Sequence, residues 1–139
     1  MSIQILQMTI ADYDEVLALW KVSEGIGLSS ADSRESIERF LERNPGLSFV
    51  AREDGKLVGV VLCGTDGRRG YLYHMAVTRS HRRRGLGRTL FEKCLESLKW
   101  QGVKKCHLLV YADNQDAIRF WSQTGWKHRV ELIIMSKDI

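Results

Sequence analysis

Between positions 79 and 89 the chain reads Arg-Ser-His-Arg-Arg-Arg-Gly-Leu-Gly-Arg-Thr. This stretch joins a strand-like run, residues 71–77, to a helical pattern that starts at Leu86. The start of a helix leaves main-chain N–H groups unpaired and carries the positive end of the macrodipole. Gly85 and Gly87 let an oxyanion approach the backbone, and Arg79, Arg82, Arg83, Arg84 and Arg88 surround it with positive charge. The chemistry predicted is capture of a phosphate or pyrophosphate at residues 83–89. The GxxxxGK[ST] pattern is absent, which disfavours a Walker-type nucleoside triphosphate site. The GxGxxG dinucleotide pattern also fails, because Arg88-Thr89-Leu90 follow Gly87 without a third glycine. Taken alone, a solvated basic run at a glycine-broken helix start reads the same way.

The elements needed to position this turn are legible on both sides of it. Residues 3–6 form a short apolar strand, and Thr9 is placed to cap a helix carrying Tyr13, Val16, Leu17 and Trp20 on one stripe. Gly25 and Gly27 open a loop. Asp32 and Glu35 then suggest a capping box for a second helix, with Ile37, Phe40 and Leu41 as its apolar stripe, ended by Asn44-Pro45-Gly46. Residues 47–52 and 57–63 read as strands joined by the hairpin signal Glu53-Asp54-Gly55-Lys56. A second turn at 65–70 leads into the strand at 71–77, giving an antiparallel meander. Leu86, Leu90, Cys94 and Leu98 recur every four residues in a buried helix stopped by Gly102. A strand is expected over 103–111, parallel to 71–77 because a helix connects them. A helix over 113–124 and one or two closing strands over 126–135 complete the pattern. The expected fold class is α/β, one domain over 1–139 with a mixed sheet.

Composition limits the functional classes. The 139 residues suit one domain, and 44% hydrophobic with 27% charged residues is a globular profile. No apolar run approaches the roughly 20 residues that cross a bilayer, and the first residues lack a secretory leader's pattern. A cytoplasmic protein with no membrane partner is expected. Cys63, Cys94 and Cys106 form no CxxC pair and, with His74, His81, His107 and His128, show no zinc spacing, so no metal site is predicted. The net charge of +4 favours an anionic ligand. Five arginines around a glycine pair suit one compact polyphosphate better than a nucleic-acid backbone, so no nucleic-acid partner is expected.

Two motifs then converge. Arg82-x-x-Gly85-x-Gly87, preceded by Met75-Ala76-Val77 and opening a long helix, resembles the acyl-CoA-binding motif of the GNAT N-acetyltransferase superfamily. Asn114-x-x-Ala117-x-x-Phe120-Trp121-x-x-x-Gly125-Trp126 is similar to that family's Asn-x-x-Ala-x-x-Phe-Tyr-x-x-x-Gly-Phe segment. The order of elements matches over nearly the whole chain. The resemblance implies the acyl-CoA N-acyltransferase fold, a central mixed sheet with helices on both faces, of the small stand-alone bacterial type. It implies acetyl-CoA as acyl donor, a small-molecule or peptide amine as acceptor, and direct attack of that amine on the thioester.

Carried over residue by residue, it implies that the main chain of Met75, Ala76 and Val77 pairs with the pantetheine arm. The amides of Arg83, Arg84, Gly85, Gly87, Arg88 and Thr89 would hold the pyrophosphate at the start of the Leu86 helix. Arg82 fills the leading basic position, and Asn114 borders the thioester end. A backbone N–H near Met75 or Ala76 is placed to polarise the acetyl carbonyl. The family's glutamate on the strand before the phosphate turn is missing here, since that strand reads Tyr71-Leu72-Tyr73-His74-Met75. His74 is one candidate base and a packed core group is the alternative; Glu24 and Glu131 are further carboxylates without an anchor. Trp121 stands at the family's tyrosine position and cannot reprotonate a thiolate, which leaves Tyr111 as a replacement acid. These departures also admit an acyl-CoA-binding sensor with little turnover. Glu24, Asp32 and Glu35 are candidates to attract a cationic amine, and the run Leu132-Ile133-Ile134-Met135 is compatible with a homodimer.

Overall fold

Asp54 and Gly55 both take the left-handed conformation (φ 50° and 80°), the pair of angles that closes a two-residue hairpin in step with strand twist. That turn joins β2 (Phe49–Glu53) to β3 (Lys56–Thr65) and sets the register of the sheet. The computed structural model describes residues 2–139 in two compact units divided after Leu109.

The first unit holds a five-stranded sheet in the order β1-β2-β3-β4-β5, with β1 at Ile3–Gln7, β4 at Gly70–Val77 and β5 at Cys106–Leu108. All neighbours are antiparallel except β4 and β5, which run parallel as their helical connection requires. The helices are α1 (Tyr13–Lys21), α2 (Arg34–Arg43) and α3 (Leu86–Trp100).

Alternation along β3 assigns the helices to opposite faces. Val60 and Leu62 join a buried cluster with Val16, Leu19 and Trp20 of α1 and Ile37 of α2. Gly59 lies on the other face, where a Cβ would stand 3.0 Å from Leu90 Cδ1 of α3. At Gly70 a Cβ would overlap the end of the Leu98 side chain, so the glycine lets α3 lie close against the start of β4. Helices therefore cover both faces, as expected.

Three expectations at element ends are corrected. Asp32 does not cap α2: Ser33 does, its hydroxyl accepting from Ser36 N at 3.2 Å, while Asp32 closes a short 3-10 turn, Ser30–Asp32, with Ser29. The fifth strand is three residues long rather than nine, because β4 offers it pairs only at Gly70, Tyr71 and Leu72. No strand occurs over 126–135: a strand exists through its ladder, and the described residues there pair with none. In the second unit, α4 (Gln115–Gln123) is followed by an irregular tail in which Val130, Ile133 and Met135 are exposed.

Candidate active site

The turn before α3 presents a row of unclaimed donors. Arg83 (φ 63°) and Gly85 (φ 77°) are left-handed, and backbone of alternating hand turns successive N–H groups toward one concavity. The amides of Arg83, Arg84, Gly85, Leu86, Gly87 and Arg88 meet no acceptor among the described residues. Thr89 differs from expectation, since its amide and its hydroxyl both donate to Gly85 O at 3.0 Å. Thr89 thus closes the first helical turn rather than adding a free donor. Arg82 donates from Nε to Val77 O at 3.0 Å, fixing the basic run to the end of β4.

Glu24 is anchored against this turn, accepting from Arg79 at 3.0 Å and Arg82 at 3.5 Å. These pairs are exposed and hold weakly. A firmer tie is made by His81. Its Nε2 lies 3.0 Å from Glu53 Oε1, and its Nδ1 lies 2.9 Å from the hydroxyls of Thr78 and Ser80. The carboxylate only accepts, so Nε2 donates to it, while Nδ1 shares hydrogen bonds with the two hydroxyls. The hairpin between β2 and β3 thereby holds the entry to the turn before α3.

The His81 hydrogen bond, aided by Arg84, keeps the Glu53 carboxyl below its ordinary value. A depressed carboxylate contributes stability fully above its unfolded value, near ~4.3, and loses it as pH falls through the lowered one. Glu53→Gln is therefore expected to melt below wild type at pH 6, with the gap closing as pH drops below about 4. Thermal unfolding followed across that range checks this, and a gap constant with pH would rule out the clasp.

Beside β5 the sheet opens. Pairing stops at Leu72 with Leu108, while β4 continues to Val77. Thr78 N donates to Val58 O at 2.9 Å, so by antiparallel alternation Ala76 turns its main chain to β3. Met75 and Val77 turn theirs to the open side. Ala76, paired with Val60, is engaged inside the sheet and buried. The Val77 carbonyl is taken by Arg82, which leaves the Met75 N–H and C=O and the Val77 N–H facing the gap.

A bulge precedes this edge. β3 pairs Val60 with Ala76 and Leu62 with Tyr73, so His74 and Met75 together oppose Val61. His74 adopts φ 50°, a strained conformation for a residue with a side chain. Trp20 Nε1 donates to the His74 carbonyl at 2.9 Å, and the Trp20 ring meets the imidazole edge-on at 5.1 Å. The imidazole Nε2 lies 3.0 Å from Asp32 Oδ1.

In the second unit, Asn114 caps α4, its Oδ1 accepting from Ala117 N at 3.1 Å. Trp121 packs between Phe120 and Trp126, with ring centroids 4.9 and 5.3 Å away. Tyr111 is exposed, and Glu131 is paired with Arg129 at 2.9 Å. Two of the thiols are poor nucleophiles. A hydrogen bond with Cys63 and burial push Cys94 far up, and burial pushes Cys106 to about 12. Among the described residues no cluster of histidine, cysteine and carboxylate could hold a metal.

Sequence reasoning missed three contacts: Asp32 with His74, Glu53 with His81, and Trp20 with the bulge. Each pairs residues far apart in the chain, and no local pattern announces them.

The model of the acetyltransferase (GNAT) family matches residues 13–126. An acetyltransferase of Yersinia pestis is 32% identical over 139 residues, covering 100% of this chain and 96% of that protein. Among solved structures, the PaiA N-acetyltransferase of Thermoplasma acidophilum in complex with coenzyme A superposes with a TM-score of 0.80 at 21% identity, covering 91% of each chain. The enzyme AAC(6')-Iy, bound to a bisubstrate analogue of coenzyme A and acetylneamine, superposes at 0.79 with 19% identity over 100% of each chain.

Proposed function

The chain belongs to the GNAT acetyltransferase family, an enzyme family that uses acetyl-CoA, and we propose that it acetylates a primary amine of a small molecule or peptide. The observation that carries the site assignment is the run of unclaimed amides from Arg83 to Arg88, beside the unpaired edge at Met75 and Val77. A diphosphate needs several convergent donors, and an amide-bearing arm needs a free strand edge; both are present, so the residues fit the donor. Arg83, Arg84, Gly85, Leu86, Gly87 and Arg88 hold the diphosphate through main-chain N–H groups, with the Arg82 side chain beside them. Thr89 secures the turn. Met75 and Val77 bind the arm, and Ala76 supports them from inside the sheet. Bound there, the thioester supplies an electrophilic carbonyl and a thiolate leaving group.

The protein's own work is orientation and proton handling. The Met75 N–H is aimed where negative charge develops on the carbonyl oxygen. An alkylamine has a pKa near ~10.4, so it arrives protonated and needs an acceptor for that proton. His74 is the proposed acceptor. Asn114, carried over from the family's motif, is the proposed neighbour of the thioester, and Tyr111 is the proposed acid for the departing thiolate. Trp121 supplies packing rather than a proton, and a thiol with pKa near ~8.5 leaves tolerably without help. Trp121→Tyr should therefore turn over as fast as wild type or faster; a tenfold loss would mean that the indole contacts substrate.

Residues 1–139 are read as one functional domain, cytoplasmic and without a nucleic-acid partner. The family match crosses both units, and no described helix is long and apolar enough to span a membrane. The acceptor class draws on AAC(6')-Iy, whose ligand is an amine-derived bisubstrate. Thiol release from acetyl-CoA with a panel of amines tests the function. Amine-dependent release is expected; tight binding of acetyl-CoA without it would favour a sensor. The exposed run Val130, Leu132, Ile133, Ile134 and Met135 supports a homodimer. Sedimentation equilibrium should give twice 16.0 kDa, and a monomer would end that reading.

A further inference from the structure

We infer that Asp32 and His74 form a proton-accepting dyad, in which Asp32 is a positioning residue and His74 Nδ1 takes the proton of the incoming amine. The inference rests on the acetyl-transfer reading and specifies who serves its acceptor.

The bulge makes the dyad possible. In a regular strand Tyr73 and His74 would point to opposite faces. Here Tyr73 meets Phe40 of α2, with ring centroids 6.1 Å apart, while His74 meets Trp20 of α1 and Asp32. Both side chains therefore stand on the face covered by α1 and α2. The left-handed His74 backbone is held by its flanking β3 pairs and by the Trp20 indole on its carbonyl.

Asp32 is fixed on every side. Its Oδ2 accepts from Ser29 N at 3.1 Å, its own N–H donates to Ser29 O at 3.0 Å, and its carbonyl accepts from the Tyr13 hydroxyl at 2.6 Å. Its remaining oxygen, Oδ1, faces the imidazole. A carboxylate accepts and cannot donate, so the bond places the ring proton on Nε2. In the neutral ring Nδ1 is left as the basic lone pair, with no hydrogen-bond partner among the described residues. The imidazole remains 22% exposed while Asp32 is 9% exposed, so the buried member orients and the outer member meets solvent. A purely structural clip has no need of that arrangement. Met75, whose N–H faces the gap, is the next residue along the strand.

In the step proposed, the ammonium gives one proton to Nδ1, and Asp32 balances the imidazolium across Nε2–H. The neutral amine then forms the N–C bond as the C–S bond breaks. The amine loses its second proton, the thiolate gains one, and a single proton is released to solvent overall.

Two amines of similar size separate this role from a structural one. Butylamine arrives protonated at neutral pH and trifluoroethylamine arrives neutral. His74→Gln is expected to slow butylamine acetylation about 100-fold, the usual scale of a general base, and trifluoroethylamine by less than about threefold. Asp32→Asn should slow butylamine about tenfold or more with the same sparing of the neutral amine, and acetyl-CoA affinity should hold in both variants. Equal losses for both amines, or no loss for butylamine, would overturn the dyad. The 15N signature of His74 in the wild-type protein gives a second reading that needs no variant: Nε2–H is expected, and Nδ1–H overturns the proposal. If the wild type used neither amine although acetyl-CoA bound, the acceptor reading would fail, and the tautomer would still decide the dyad.

Discussion

Gly87→Asp is expected to weaken acetyl-CoA binding at least about 100-fold, a loss of roughly 2.7 kcal/mol, while the melting temperature stays within a few degrees of wild type. The two effects part because the substitution acts on different terms. Position 87 lies in the first turn of α3, where an acidic side chain interacts favourably with the helix dipole. The fold therefore loses little. The diphosphate is in the opposite situation, since it needs the same unpaired amides and the same positive field. A carboxylate there would repel the proposed diphosphate. Gly87→Ala supplies the control: it adds volume without charge and should cost much less affinity. Calorimetric titration with acetyl-CoA reads both variants. Unchanged affinity in Gly87→Asp would remove the diphosphate from this turn.

That turn was legible in the sequence because its determinants are local. Gly85 needs φ 77° and Gly87 stands two residues on, with the arginines contiguous to both, so a short window of residues contains the whole device. The hairpin at Asp54-Gly55 and the stripe of α3 are legible for the same reason. The bulge is a different kind of feature. His74 opposes Val61 only because β3 and β4 slip by one residue, and nothing in Tyr71-Leu72-Tyr73-His74-Met75 marks the slip. Asp32 illustrates how a correct signal can be credited to the wrong neighbour. It does belong to a capping box, but with Ser29 rather than Glu35, and its second oxygen serves a strand 42 residues away. The tail beyond Gly125 shows the limit of apolar patterning. Leu132 to Met135 has the composition of a strand, yet composition supplies no partner, and the residues remain exposed. Likewise the open edge of β4 is a property of topology: it follows from β5 ending at Leu108, which no feature of β4 reveals.

Trp20→Phe is expected to destabilise the protein by about 3 kcal/mol, lowering the melting temperature by roughly 10 °C, and to reduce turnover further than that loss explains. Trp20 is 1% exposed in the cluster beneath the sheet, so the smaller ring leaves a void. The larger part of the cost is polar. The indole N–H is the donor to the His74 carbonyl, and phenylalanine leaves that part-buried oxygen without this donor. The bulge then loses the contact that offsets the left-handed backbone at His74, where strain costs on the order of 1–2 kcal/mol. Relaxation of φ there would rotate the imidazole away from Asp32 and turn the Met75 amide from the gap. Val16→Ala provides the comparison that isolates this effect. Val16 is 0% exposed in the same cluster but has no polar tie to β4, and its truncation should cost roughly 2 kcal/mol with turnover nearly intact below the melting transition. Similar stability losses with unequal losses of turnover would trace the difference to the bulge. Equal turnover in the two variants would mean that the Trp20 bond serves the core alone, and the positioning of His74 and Met75 would need another cause.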